Sequence, residues 1–363
     1  MKVLHILNAL RYSGAEMMLA SASDILIGDG QASIISTGDD LGDYAPVLAA
    51  KGYEIIHIPY SFSPVFFVRI ARAITASGCD VVHLHTERAA MWYSITTRLA
   101  GVANVRTIHN EFLFDGLLRL RRSVTRRIAA ALGTVHIACS ARVARNEKRR
   151  FGIDAIVIDN WIDTGRLYAS DASSRVVLRE KLNIPQDAFV AVSIGNEAPA
   201  KNIDALVEAI GLCPEELPIV FFQCGAVSDR LRQKAAALGK GRVHLLGTVS
   251  DIGQYLAASD VFVSASLFEG GQLVLMEAAA AGIYCITTRV GAAEEFEGLP
   301  NIRFIEPDAE SVAEALEEVA AIPVEERERG ASQLSEFARQ RFVPEAGASR
   351  YVSVYQSTID RNG

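Results

Sequence analysis

A dozen short apolar runs, separated almost without a break by helix-length amphipathic stretches, constrain this chain more than any other feature. The runs are Val3–Leu7, Ala32–Ser36, Glu54–His57, Val81–His85, Val105–Ile108 and Val135–Cys139. After a gap they resume as Phe189–Ile194, Ile219–Phe222, Val243–Leu246, Val261–Ser264, Tyr284–Thr287 and Ile302–Ile305. Strands apolar on both faces and alternating with helices build parallel sheets covered on both sides. The segments between them, such as Ile203–Ile210 and Ser311–Ala320, repeat apolar residues three and four apart, the period of one helix face. Twelve strands divide into two sets of six. The predicted fold class is therefore α/β: two Rossmann-like, doubly wound parallel-sheet domains facing across a cleft. The polar, turn-rich stretch 159–174 marks the seam, giving domains 1–165 and 166–345, with a C-terminal helix, 346–363, returning to the first. Ligands of such sheets bind beyond the carboxyl ends of the strands, so the chemistry is sought in the loops that follow them.

Composition narrows the class. Half of the 363 residues are hydrophobic and 22% are charged, a globular balance that excludes a disordered chain. Five cysteines, Cys79, Cys139, Cys213, Cys224 and Cys285, stand apart in apolar stretches with no CxxC. They point to reduced thiols of a cytosolic protein, not to a disulfide framework or zinc site. The opening MKVLHILNALR is too short and polar for a signal peptide, and no apolar run reaches the roughly 20 residues that span a bilayer. A cytoplasmic protein is expected. A net charge of −7 argues against a general nucleic-acid binder, yet residues 98–150 hold 12 basic and 3 acidic residues.

No Gly-x-Gly-x-x-Gly follows a strand and no GxxxxGK[ST] occurs, so a dehydrogenase and a P-loop kinase are poorly supported. Three segments after strands carry the positive signal. Gly14-Ala15-Glu16 opens a helix that ends before the Gly28-Asp29-Gly30 turn. Glycine at a helix N-terminus lets amides approach an anion, although it also serves simply to shape a tight turn. In Ala191–Asn202 a strand passes through Gly195 into a helix with Lys201 near its start. Cations favour helix C-termini, so one at an N-terminus suggests an anion between charge and amides. In Val261–Gly282 a strand ends at Ser264, a loop carries Glu269-Gly270-Gly271, and an apolar helix from about Gln272 carries Glu277. If 269–277 were all helical, the carboxylates would stand about 12 Å apart. That spacing suits hydroxyl-bearing groups on either side of a diphosphate met by the Gly270–Gln272 amides. A capping Glu269 and a surface Glu277 are the plainer alternative.

Taken in series, Gly14-Ala15-Glu16, the Asp80–His85 segment, His109, Asn160–Asp163, Gly195 to Lys201-Asn202 and the Glu269/Glu277 pair resemble the family-four retaining glycosyltransferases of the GT-B fold, over 1–356. The resemblance implies transfer, with retention, of a hexose-type sugar from a nucleotide-diphosphate donor, UDP- or GDP-linked, to a saccharide or lipid-linked hydroxyl in polysaccharide or glycolipid assembly. It implies His109, Lys201 and Glu269 as the catalytic set: Glu269 on donor-sugar hydroxyls, Lys201 on the leaving diphosphate, His109 on the acceptor side of the sugar. Donor contacts would include Gly14, Asn196, Gly247, Thr248, Gly270, Gly271, Gln272, Leu273 and Glu277, the last on the ribose. His85 and Trp161 would lie on the acceptor side. Neither cofactor nor metal is implied, and no Asp-x-Asp occurs in the chain.

Asn196 stands where the family usually has arginine, followed by Glu197, so one of two cationic diphosphate contacts is missing. Losing a preorganised charge stabiliser can cost about 100- to 1000-fold in rate. Two rivals therefore stand beside the transferase: a catalytically silent binding subunit and a sugar-nucleotide epimerase. His5 and His136, inside strands, read as core histidines satisfied by hydrogen bonds. In Leu117–Leu132 the apolar residues Leu117, Leu120, Val124, Ile128 and Leu132 recur at helical spacing, with Arg119, Arg122 and Arg126 on another face. The plainer reading packs the leucines on the sheet and leaves the arginines in water. The sharper one docks Arg119–Arg127 and Arg142–Arg150 on anionic lipid at the inner face of the plasma membrane.

Overall fold

Thirteen strands form two parallel sheets in the computed structural model, which describes residues 1–28, 30–168, 172–238 and 241–362. Asp29 of the expected turn, residues 169–171 of the expected seam and Gly363 lie outside the described residues. One compact unit comprises 1–162 with 342–363, the other 163–341. The first division thus falls three residues before the expected boundary at 165, and the second four before 345. Ile162 N–H donates to the Phe342 carbonyl at 2.9 Å, so the returning chain rejoins the first unit as soon as it arrives.

In the first unit β1 (Lys2–Leu7), β2 (Gln31–Ser36), β3 (Glu54–His57), β4 (Val81–Leu84), β5 (Ala103–Ile108), β6 (Val135–Ala138) and β7 (Ile156–Val157) stand in the order β3-β2-β1-β4-β5-β6-β7. β7 has no counterpart in the sequence reading, because two residues carry no periodic signal. Leu4, Ile6, Ile35, Val82 and Leu84 pack against Phe66, Ile70 and Ile74 of the helix Pro64–Ser77. That helix is punctuated locally. Ser63 Oγ accepts from Phe66 N–H at 3.2 Å, Pro64 sits where its missing N–H costs nothing, and Gly78 ends the helix at φ 60°.

The last helix, Pro344–Asn362, lies across this unit, with Tyr351 OH 3.0 Å from Thr107 Oγ1 and Tyr355 OH 2.6 Å from His83 Nδ1. Gly347 passes so close to Trp161 that a Cβ would fall 2.2 Å from the indole ring. The indole expected on the acceptor side is thereby buried, lining a small cavity with His85 and His109. Trp161 is only 3% exposed, and its Nε1–H donates to the Met18 carbonyl at 3.0 Å. The returning helix covers an indole that the sequence left open.

In the second unit β8 (Phe189–Ile194), β9 (Ile219–Cys224), β10 (Val243–Gly247), β11 (Val261–Ser264), β12 (Tyr284–Thr288) and β13 (Ile302–Ile305) stand in the order β10-β9-β8-β11-β12-β13. Phe189, Ala191, Phe221, Val263 and Ile286 pack against Leu206 and Ile210 of one helix and Val312 and Leu316 of another.

The helix Gly116–Ala131 reverses the plainer reading. Leu117 is 85% exposed and Leu120 61%, with Val124 and Ile128 also outward, while Arg126 is buried with Ala129. The physical reason is long-range: Arg126 Nε donates to Glu147 at 2.8 Å and its Nη1 lies 3.1 Å from Glu87. Two carboxylates anchored elsewhere draw the charged face inward and leave the leucines in water. In the second basic block Arg142, Lys148 and Arg150 pair with Glu111, Asp154 and Asp115, so much of that charge is engaged locally. Among the described residues no helix is long and apolar enough to cross a membrane.

Candidate functional site

Each sheet has a topological switch point, where successive strands are added in opposite directions and their following loops diverge to leave a crevice. In the second unit it lies between β8 and β11. The loops that follow are Gly195–Asn202 and Ala265–Gln272, which carry Asn196, Lys201 and Glu269. Lys201 Nζ lies 2.6 Å from Glu269 Oε1, and Ser266 Oγ donates to the same oxygen at 2.9 Å. Two residues 68 apart in sequence are thus joined at the crevice.

Close packing holds these loops. Gln223 Nε2 donates to the Gly195 carbonyl at 2.7 Å, and a Cβ on Gly225 would fall 2.1 Å from that carbonyl oxygen. Gly225 N–H in turn donates to the Gly247 carbonyl at 2.7 Å, which ties in the part-buried Gly247 beside the exposed Thr248. Asn202, at φ 50°, donates through Nδ2 to the Pro307 and Ala265 carbonyls. Asn196 Oδ1 accepts from Ala226 N–H at 2.8 Å. Glu197 turns onto Ser228 and Arg230, whose hydrogen bonds hold its carboxyl below the usual range. Its charge is therefore compensated.

The helix after β11 runs Leu273–Ala281, with Gln272 before it at φ 46°. Residues 269–272 are therefore loop, and the all-helical premise for the Glu269–Glu277 spacing is corrected: the glycine pair and the left-handed Gln272 turn the chain before the helix starts. The first amides of the helix have no carbonyl one turn back to bond and are open to an acceptor. Gly270, Gly271 and Gln272 are buried, and Gly291 packs so closely that a Cβ there would lie 2.5 Å from the Gly270 carbonyl oxygen. Glu277 is 5% exposed and makes no hydrogen bond among the described residues. Burial pushes its carboxyl up to about 7, against the pull of Arg166. An acidic side chain kept in a helix of alanines without a hydrogen-bond donor is a poor structural element and a ready hydroxyl acceptor.

The switch point of the first unit lies between β1 and β4. Gly14 opens the helix Gly14–Ser21 beyond β1, and Ser13 Oγ donates to the buried Glu16 carboxylate at the spacing of a capping box. His85 follows β4 and His109 follows β5. His109 Nε2 and His85 Nδ1 are 2.9 Å apart, and His85 Nε2 and His5 Nδ1 3.1 Å. This three-imidazole chain leaves Nδ1 of His109 for other work. Sequence reasoning missed it, since β1–β4 pairing alone sets His5 beside His83. Burial lowers His109 to about 4 and His5 to about 3, so the chain is neutral at pH 7. His5, His83 and His85 have nitrogens within 4.8 Å of one another. Both nitrogens of His83 and of His85 are already hydrogen-bonded, so the donor set fits a metal poorly. His136 is core as expected, but neither of its nitrogens makes a well-formed hydrogen bond among the described residues.

Residues 13–166 match the family described as Glycosyltransferase Family 4, and 188–321 that described as Glycosyl transferases group 1. The UDP-Gal:alpha-D-GlcNAc-diphosphoundecaprenol alpha-1,3-galactosyltransferase of Escherichia coli is 29% identical over 60% of this chain and 61% of its own length. The lipopolysaccharide core biosynthesis glycosyltransferase LpsE of Rhizobium meliloti is 34% identical over 46% of this chain and 47% of its own. The chain thus spans about half to three fifths of these two curated relatives. Among solved structures, a glycosyltransferase from Rickettsia africae superposes with a TM-score of 0.83 at 19% identity, covering 99% of this chain and 98% of that one. Anabaena HepE, solved with UDP, gives 0.82 at 21% identity, covering 98% and 100%. These two likenesses concern the fold. With one family match on each unit, together spanning most of the sequence, this chain belongs to the group 1, family-four glycosyltransferases.

Proposed function

We propose that the protein transfers a hexose-type sugar, with retention of configuration and without a metal, from a UDP- or GDP-linked donor to a hydroxyl of a saccharide or lipid-linked acceptor. The observation that carries this reading is the Lys201–Glu269 pair at the switch point of the second unit, beside a helix N-terminus. An arriving diphosphate competes for Lys201, and the released Glu269 turns to the sugar hydroxyls. As the C–O bond to the diphosphate breaks, negative charge grows where Lys201 and the Gly271–Leu273 amides stand. Stabilisation there lowers the barrier because it is strongest in the transition state. Glu277 takes the ribose hydroxyls, and Gly247 and Thr248 flank the base. HepE was solved with UDP-glucose, and the E. coli relative is named for galactosyl transfer to a diphosphoundecaprenol-linked sugar, which supports a nucleotide-sugar donor and glycolipid or polysaccharide assembly. We place the protein in the cytoplasm, peripheral to the membrane through the helix 116–131.

A thermal-shift titration with UDP, GDP and their sugar conjugates, in EDTA and then in magnesium, tests this. A ligand at 100 times its Kd adds about 2.7 kcal/mol of stability. A metal-independent shift by one nucleotide is expected. Glu269→Gln keeps that shift and abolishes transfer, whereas Glu277→Ala loses the shift. No shift with any nucleotide at millimolar concentration would favour the silent binding subunit, to which Asn196 points.

A further inference from the structure

A cavity of about 400 Å³ opens in the first unit between the loop after β4 and the helix Gly116–Ala131. Five arginines line it, Arg88, Arg106, Arg121, Arg122 and Arg126, with Glu87 among them. Glu87 is shared by Arg106, Arg122 and Arg126, and Glu147 takes a second bond from Arg126. Five cations thus face two carboxylates. Arg88 and Arg121 have no acidic partner among the described residues; Arg88 stacks on Tyr60 instead, 5.0 Å from the ring centre. Arg106 is fully buried, and its Nε–H finds no acceptor; the Nε–H of Arg122 is likewise buried and unpartnered. Buried, orphaned guanidinium donors are costly unless an acceptor arrives, and the exposed Arg88 and Arg121 add uncompensated positive charge at the mouth. Guanidinium forks match phosphoryl oxygens in geometry as well as charge.

Apart from Tyr60 and Thr125, the rest of the lining is apolar. Phe62, 69% exposed, and the half-exposed Trp92 form its outer wall, with ring centres 5.9 Å apart. At 100° per residue, Arg121 stands on the helix surface between the cavity-facing Arg122, Thr125 and Arg126 and the exposed stripe Leu117–Leu120–Val124–Ile128. Charge inside, aromatic surface at the mouth and an apolar stripe alongside describe a ligand with a phosphoryl head and a hydrocarbon body.

We infer that this cavity binds the phosphate or diphosphate of an amphiphile, and that in the transferase reading this amphiphile is the lipid-linked acceptor. Only the word acceptor rests on that reading; the binding site does not.

The test uses the full chain and Trp92 fluorescence, with farnesyl diphosphate, inorganic diphosphate and phosphatidylglycerol vesicles as probes. Trp161, the only other tryptophan, is buried in the core and sits outside this cavity. Farnesyl diphosphate is expected to bind at least tenfold more tightly than inorganic diphosphate. Arg88→Gln with Arg121→Gln, both at exposed positions, should weaken it at least tenfold while leaving the UDP thermal shift unchanged. Equal binding of the two diphosphates would overturn the assignment to an amphiphile. So would full farnesyl diphosphate affinity in the double variant, or a Trp92 response to vesicles with none to farnesyl diphosphate. Loss of the UDP shift in the unmodified protein would count against the transferase reading and leave the cavity result standing.

Discussion

Glu277 carries the plainest consequence at the scale of one residue. With the free carboxyl near 7, about a tenth of it is ionised at pH 6 and about nine tenths at pH 8. In the role we propose for Glu277, ribose hydroxyls donate to the ionised form, so nucleotide binding would draw the proton off. Affinity for UDP is therefore expected to fall about tenfold from pH 8 to pH 6, and calorimetry on Glu277→Gln should show a flat profile. Asn196 gives the second case. From the sequence, arginine at this position would restore a missing diphosphate contact and raise activity. In the structure its amide closes the loop onto Ala226, a bond of about 1 kcal/mol. We now expect Asn196→Arg to lower the Tm slightly and to bring no gain in donor affinity. Tighter UDP binding at unchanged Tm would show that the Ala226 contact is dispensable.

At the scale of the element, the helix 116–131 shows what periodicity leaves open. Its apolar stripe was evident from spacing, and its limits lay within a residue of those expected. Which side faces the protein was not evident, because Glu87 and Glu147 lie 39 and 21 residues from Arg126 along the chain. Changing Leu117, Leu120 and Val124 together to glutamine should weaken binding to phosphatidylglycerol vesicles more than tenfold and barely move the Tm. A Tm lowered by more than about 5 °C would mean that these side chains are packed after all. The Glu269–Glu277 segment teaches the converse. Its glycine pair, strand and helix were all legible, but the positive φ of Gln272 was not, since glutamine seldom takes that conformation.

At the scale of the molecule, five histidines of the first unit, the buried His5, His83 and His136 and the half-buried His85 and His109, have lowered affinity for protons. Desolvation is the leading cause for each. An unfolded histidine titrates near 6.5, so below that pH the unfolded chain binds protons that the native one refuses. Each group's contribution is present above 6.5 and is lost as the pH falls, at up to about 1.4 kcal/mol per pH unit. The buried Glu16, Glu147 and Glu277 act in the opposite sense, so one histidine is best isolated. His136 stands outside the imidazole chain, and its shift comes from desolvation first and then from Arg106 and Arg126, so it is the one to change. His136→Leu should raise the Tm more at pH 5 than at pH 7.5, and an equal rise at both would contradict this account.

The sequence by itself determined the two parallel sheets and the glycine-bearing loops that follow their strands, because strand burial, helix period and glycine turns are written in near neighbours. Tertiary structure alone decided that Trp161 is closed off, that Arg126 points inward, that His5, His85 and His109 form one chain, and that Lys201 meets Glu269. Each of those outcomes depends on residues brought together from far along the chain, where the burial of one charge or ring is settled by a partner that no local pattern names.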